Sequence, residues 1–357
     1  MERPIPKPIG TALQDLDTPS LYLEEEIFVH NCKRFLEKFS KYNLDLRPDV
    51  SLYRSSELAR FHMSQFPRVN SVYTNTISEA SIFAGMGLKD ILVGIPFPFD
   101  GRLDILADIS QKVTVTIPVV SKGSVDYLIA FSKDKGFCPR VTIPLVTDST
   151  SLGLYDYEQA RDLAVYVQNT NGVDLNGFTL VMAENLEDEV VQKAIGDVNN
   201  ILLGLSHKGT CGLKVSIITS DFGVIEALNF AADTEVLDSS AIFERIDLQD
   251  PPVGVISSVM SHPQSDMVYL DCGQKSISID RGMPQPIGLS TSYVSQMSAE
   301  HGYLKIDDEN WLPKLGERVK LNPSDVSDTF NLYDYLNVIS GGLLKTIYQI
   351  DARGCYV

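Results

Sequence analysis

Arg47-Pro48-Asp49-Val50-Ser51-Leu52-Tyr53-Arg54 follows a short apolar run, Leu44 to Leu46, and opens a long alternation of strand-like and helix-like patterns. Read as a continuing strand, its period of two places Asp49, Ser51 and Tyr53 on one face. Further strand-like runs recur near Val69 to Tyr73, Ile91 to Gly94, Val113 to Ile117, Val141 to Val146, Phe178 to Met182, Leu213 to Ile218 and Glu235 to Leu237. With the first they make about eight, the number that closes a parallel barrel. Amphipathic helical patterns lie between them at Glu24 to Phe39, Ser56 to Gln65, Ile77 to Ala84, Leu103 to Ile109, Ser124 to Phe131, Tyr157 to Val167, Glu187 to Ala194 and Gly223 to Phe230. Ser78 and Asp100 read as caps or first-turn residues. The predicted class is α/β, a (β/α)8 TIM-type barrel whose first strand turns a polar face inward.

After Pro251-Pro252 the pattern changes to short alternating strands, Val255 to Met260, Met267 to Leu270 and Ser276 to Ile279, separated by Pro and Gly. This predicts a second, mostly antiparallel β domain. A length of 357 residues accommodates both. Thirty basic against 47 acidic side chains give a net charge of −17, which repels phosphate backbones and anionic membranes. Nucleic acid and membrane partners are excluded on that ground, and no stretch reaches the apolar length of a bilayer span. The start Met-Glu-Arg-Pro-Ile-Pro lacks the pattern of a signal peptide, so the expected compartment is the cytosol. Cys32, Cys138, Cys211, Cys272 and Cys355 have no C-x-x-C spacing and are odd in number, which predicts reduced thiols.

Other pieces fall in a fixed order along the chain: Asp17-Thr18-Pro19 before Leu21-Tyr22-Leu23, then Glu79-Ala80, Gly85 and Asp90-Ile91-Leu92-Val93. The last third carries Asp271-Cys272-Gly273-Gln274-Lys275 with Asp280, Glu300-His301-Gly302, Gly316-Glu317-Arg318-Val319, Pro323, Thr329 and Asn331-Leu332-Tyr333-Asp334. The ordered set resembles the D-threonine aldolase and D-serine dehydratase family, whose barrel is of the alanine racemase N-terminal type (fold-type III). The resemblance implies a division into an N-terminal segment 1–20 that joins the β domain, a barrel over 21–248 and a β domain over 249–357. It also implies a homodimer, pyridoxal phosphate and a zinc site.

The chemical positions of that family depart from its pattern together. Its motif R-P-H-x-K-T-H-K aligns with Arg47 to Arg54, and Ser51 stands where the family has the Schiff-base lysine. The phosphate-binding S-G-G-G-T falls on Ser216-Ile217-Ile218-Thr219-Ser220, without glycines to let backbone N–H groups approach a dianion. D-x-G-x-x-R-x-G falls on Val146 to Gly153 with Ser151 for arginine, and G-Y-x-G-H on Leu180-Val181-Met182-Ala183-Glu184. The metal pair H-x-C or H-x-D becomes Asp325-Val326-Ser327. Serine forms no imine, and the loss of a proton-transferring group costs on the order of a hundredfold to ten-thousandfold. Asp325 and Ser327 offer oxygen, not the nitrogen and sulfur that suit zinc. The expectation is no covalent pyridoxal phosphate and no zinc: neither a cofactor nor a metal.

Candidate groups for a replacement chemistry are then weighed singly. Asp49 serves as a base if burial raises its pKa; otherwise it pairs with Arg47 or Arg54. Tyr53 donates to a carbonyl oxygen or packs in the barrel. His301 is an acid or base or a structural loop histidine, and Asp325 is its partner if the two meet. Ser51 leaves room for substrate, with Arg54, Asp148 and Glu184 as binding groups. Lys275 reads as a structural residue, not a relocated imine. The leading expectation is a cofactor-independent enzyme, a lyase, isomerase or cyclase acting on a small carbonyl-containing or enolisable molecule. The other is a non-catalytic pseudoenzyme, a binding or regulatory subunit.

Overall fold

The chain begins with β1 (Ser20–Glu24) running directly into α1 (Glu25–Phe39), and then lays down β2 (Asp45–Arg47), α2 (Ser56–Ser64), β3 (Ser71–Thr74), α3 (Ile77–Phe83) and β4 (Asp90–Val93). Strand–helix alternation continues through α4 (Arg102–Ser110), β5 (Thr114–Pro118), α5 (Lys122–Lys135), β6 (Arg140–Val146), α6 (Tyr157–Gln168), β7 (Asp174–Val181), α7 (Asp188–Ser206), β8 (Lys214–Ile218) and β9 (Asp233–Leu237). This computed structural model describes residues 6–42, 44–66, 69–98, 100–148, 151–183, 186–206, 212–219, 224, 232–244, 250–264, 266–289, 291–306 and 313–356. The helical pattern read over Gly223 to Phe230 therefore lies, but for Val224, outside the described residues. No described helix is long and apolar enough to cross a membrane. By their contacts the residues form two units, Phe39–Ser51 with Phe66–Ser239 and Cys355–Val357, and Met1–Lys38 with Leu52–Gln65 and Ser240–Gly354.

The first unit holds an eight-stranded parallel sheet in the order β2-β9-β8-β7-β6-β5-β4-β3. Its ends meet: the Tyr73 N–H donates to Pro48 O at 2.8 Å, and Asp49 and Tyr73 form a parallel bridge. Every strand the sequence predicted for the barrel is present. Helices begin where side chains satisfy their first N–H groups, as in α3, where Thr76 and Glu79 form a reciprocal capping box. Inside the barrel the middle layer is ionic. Arg47 grips Glu235 with two parallel bonds of 2.8 and 3.1 Å, donates to Val72 O at 3.0 Å and meets Asp90 at 2.6 Å. Ser216 and Lys214 donate to the same glutamate at 2.6 and 3.1 Å. Burial pushes the Glu235 carboxyl up, yet Arg47 and Lys214 hold it below its ordinary range. Above lies an apolar layer of Tyr73, Leu92 and Leu237, with Ile218 packed against it.

The second unit is built on a nine-stranded sheet. Its strands are β1, β10 (Val253–Gln264), β11 (Met267–Leu270), β12 (Gln285–Pro286), β13 (Tyr293–Met297), β14 (Gly302–Lys305), β15 (Arg318–Asn322), β16 (Tyr335–Ser340) and β17 (Leu343–Gln349), with α8 (Val326–Phe330) between β15 and β16. Pairing is antiparallel throughout except for β1 with β16. Asp271 ties the N-terminal segment to this sheet by accepting from the Thr18 and Ser257 hydroxyls at 2.5 and 2.8 Å.

Two expectations are corrected here. The strand ends at Arg47, and Val50–Leu52 is a 3₁₀ turn, so Asp49, Ser51 and Tyr53 do not share a strand face. Pro48 contributes no N–H to a ladder, and the Asp49 carboxylate bends the chain by accepting the Ser51 N–H at 3.0 Å and its hydroxyl at 2.5 Å. The barrel also does not start at residue 21, because β1 is held between β10 and β16 and the chain joins the first unit only after Lys38. Replacing Arg47 by leucine strands the buried Glu235 charge. Urea denaturation is expected to show a loss of about 3–5 kcal/mol.

Candidate active site

In the barrel unit the site starts at the C-terminal end of β2. Asp49 is 5% exposed, and its Oδ1 is the atom that Ser51 holds. Its backbone N–H donates to Asp238 Oδ1 at 2.9 Å, just past the end of β9. Glu79, also buried, caps the turn after β3 by accepting the Asn75 and Thr76 N–H groups at 2.8 and 3.1 Å. Asp49 Oδ2 has no hydrogen-bond partner among the described residues. Burial, with the charges of Asp238 and Glu79, lifts the Asp49 carboxyl from its ordinary 3.8 to about 7, against the pull of the Ser51 bonds. Tyr73, which bridges Asp49, is pushed well above its usual range by burial and then by the charges of Asp49 and Glu79.

Arg47, one of the two partners considered for Asp49, is taken by Glu235 and Asp90. Asp148 is half-buried, and its carboxylate closes a turn by accepting the Ser151 N–H at 3.0 Å and hydroxyl at 2.7 Å. Serine in place of the family's arginine thus turns this carboxylate onto its own loop. Glu184 lies outside the described residues.

The β unit carries the remaining candidates. Tyr53 is fully buried among Phe243 and Phe330, its hydroxyl 3.0 Å from His62 Nδ1, which is the packed alternative of the two readings. Arg54 adopts a left-handed φ of 51° and donates to Ser327 O and Oγ at 2.7 and 3.0 Å. Asp325 caps α8 by accepting the Asp328 N–H at 2.8 Å and pairs with Arg281 at 3.1 Å, not with His301. His301 is half-buried in the turn between β13 and β14, where its N–H donates to Ser298 Oγ at 3.1 Å. Lys275 forms an exposed ion pair with Glu300.

These residues do not fit pyridoxal phosphate held as an imine. The groups around Ser51 are hydroxyl, carboxyl and phenol, and none is an amine. The strand N–H groups of Ser216 to Ile218 lie in a ladder between β7 and β9, not in an open cradle. Nor do they fit the family's zinc, since a guanidinium already donates to Ser327 and a second cation there is repelled. No cluster of three or more metal-ligating side chains occurs among the described residues.

The fold finds counterparts in known proteins. The chain is similar along nearly all of its residues to D-threonine aldolase. It is 23% identical to the D-threonine aldolase of an Arthrobacter species, over 98% of this chain and 96% of that protein. A crystal structure of D-threonine aldolase from Filomicrobium marinum superposes with a TM-score of 0.87 at 22% identity, covering 99% of this chain and all of that one. The D-threo-3-hydroxyaspartate dehydratase of Delftia sp. HT23 follows at 0.81 and 19%, covering 95% and 98%. A serine dehydratase domain model matches residues 253–339, in the β unit. At these identities the solved structures speak for the fold.

Asp238, Glu79 and Tyr73 escaped the sequence reading, though Thr76-x-x-Glu79 was visible as a capping pattern and Tyr73 as a strand end. A carboxyl whose pKa is raised in the folded state binds its proton more tightly there than in the unfolded chain. Its stabilising contribution is complete in acid and is lost as pH rises from about 4 to about 7. Asp49→Asn keeps the oxygen that Ser51 needs and removes the titration. Thermal melts are expected to coincide near pH 4 and to favour the variant by several degrees at pH 8.

Proposed function

We propose that this chain is a lyase-type acid–base enzyme in which Asp49 moves the proton, without pyridoxal phosphate or zinc, on a small carbonyl-containing or enolisable molecule. The single observation behind the reading is the environment of Asp49, a buried carboxyl with one oxygen fixed by two bonds from Ser51 and the other without a hydrogen-bond partner among the described residues. With a pKa of about 7 the group is a stronger base than an ordinary carboxylate while remaining half ionised at neutral pH. Aldolase and dehydratase, the activities named for the relatives, are both lyase reactions, which supports the class. Ser51 orients Asp49, and His301, a half-buried imidazole, is the further candidate for proton transfer. Isomerase or cyclase chemistry would use the same proton step. A homodimer in the cytosol is the proposed working form.

A second reading, the binding or regulatory subunit, draws support from Tyr53 and Asp325, whose polar groups serve packing and capping. The two separate by experiment. Purified protein is incubated with small carbonyl metabolites in D2O, and proton NMR follows exchange beside the carbonyl. The enzyme reading expects exchange that rises with pH through about 7 and falls about a hundredfold to ten-thousandfold in Asp49→Asn. Equal rates with and without Asp49 would leave the subunit reading. Borohydride reduction followed by mass spectrometry is expected to find no cofactor fixed to the chain, and a pyridoxyl adduct would overturn the proposal.

A further inference from the structure

Resting on that acid–base reading, we infer that Tyr73 is the phenol that contacts the substrate beside Asp49, and that Gly94 is the positioning residue that lets it lie there. Tyr53 was the phenol that the sequence offered. Its hydroxyl is engaged by His62 and its ring is closed in by Phe243 and Phe330. Tyr73 has a different setting. It lies one residue before the end of β3 and bridges Asp49, its N–H is pinned to Pro48 O at 2.8 Å, and its ring forms the barrel's upper layer with Leu92 and Leu237.

The ring lies across the end of β4 in a space that only glycine leaves. A Cβ on Gly94 would stand 1.8 Å from the phenol oxygen and 2.3 and 2.4 Å from two ring carbons. Leucine or phenylalanine would complete an apolar layer equally well, so packing alone does not account for a hydroxyl. That hydroxyl donates to Asn75 Oδ1 at 3.1 Å, and its oxygen receives no donor among the described residues. Burial, and then the charges of Asp49 and Glu79, keep the phenol neutral, and so a hydrogen-bond donor, through the range in which Asp49 titrates.

The geometry assigns a division of labour. Asp49 Oδ2 takes a proton from the carbon next to a carbonyl. The C–H electron pair forms the new C=C bond, and the carbonyl π pair moves onto oxygen. Tyr73 turns its O–H from Asn75 to that oxygen and stabilises the enolate without losing its proton. Asp49, having exchanged with solvent, returns a proton to carbon, and nothing is oxidised or reduced. Glu79 and Asp238 beside Asp49 disfavour an anionic substrate, so the fitting class is a small uncharged hydroxycarbonyl compound.

The probe is hydroxyacetone in D2O, its exchange followed by proton NMR. Tyr73→Phe keeps the ring and is expected to lower kcat about a hundredfold to a thousandfold, with KM little changed and the pH midpoint still near that of Asp49. Gly94→Ala displaces the phenol, so it should lose a similar factor, and adding it to Tyr73→Phe should cost nothing further. If Gly94→Ala does not fold, Tyr73→Phe alone decides. Wild-type kcat in Tyr73→Phe, or a change confined to KM, overturns the inference while the loss in Asp49→Asn upholds the acid–base reading. Equal exchange in wild type and Asp49→Asn overturns both.

Discussion

The guanidinium of Arg47 stands inside a barrel where an unpaired charge would be untenable, and the molecule is organised around neutralising it. Removing a charge from water costs several kcal/mol even after relaxation, unless partners of good geometry replace the solvent. Glu235 meets Arg47 with two parallel bonds, Asp90 joins from β4, and Ser216 and Lys214 complete the glutamate's requirements. The partners come from β2, β4, β8 and β9, so the ionic layer ties strands on opposite sides of the sheet's closure. It also fixes the direction in which the chain leaves β2, and with it the place of Asp49 two residues later.

Above that layer the balance of charge is reversed. Asp49, Asp238 and Glu79 are three buried carboxyl side chains, and the apolar ring of Tyr73, Leu92 and Leu237 lies beneath. In low dielectric, burial and neighbouring negative charges disfavour ionisation, and they outweigh the two bonds that Ser51 gives Asp49. The same fold thus keeps one carboxylate firmly ionised below and another near neutrality above. Perturbed groups of this kind concentrate at functional sites.

Much of the scaffold was readable in one dimension. Seven of the eight barrel strands carry buried Val, Ile or Leu, β2 being the exception, and such patterns survive without tertiary context. Helix α7 ran twelve residues beyond its expected end at Ala194, to Ser206, although Gly196, Asn199 and Asn200 weaken it. Val198, Ile201, Leu202 and Leu205 keep one face buried, and packing overrides propensity there. The site was less legible. Asp49 could be picked from its neighbours, but the turn that follows depends on a side-chain bond to Ser51 that periodicity does not reveal. Tyr73 and Asp238 are distant from Asp49 in sequence and meet it only because the sheet curls back on itself, while Gly94 meets the ring of Tyr73.

Strand β1 carries a consequence for how the chain is made. Tyr22 lies beside Asn337, with the antiparallel β10 on its other flank. At about 5–20 residues per second, a ribosome that has released β1 needs on the order of a quarter of a minute to a minute before β16 emerges. Until β10 emerges the apolar strand has both hydrogen-bonding edges open, and until β16 emerges it has one, the condition under which nascent chains recruit chaperones or pair with one another. The β unit can be sealed only at the end of synthesis, whereas the barrel strands β2 to β9 are all available long before.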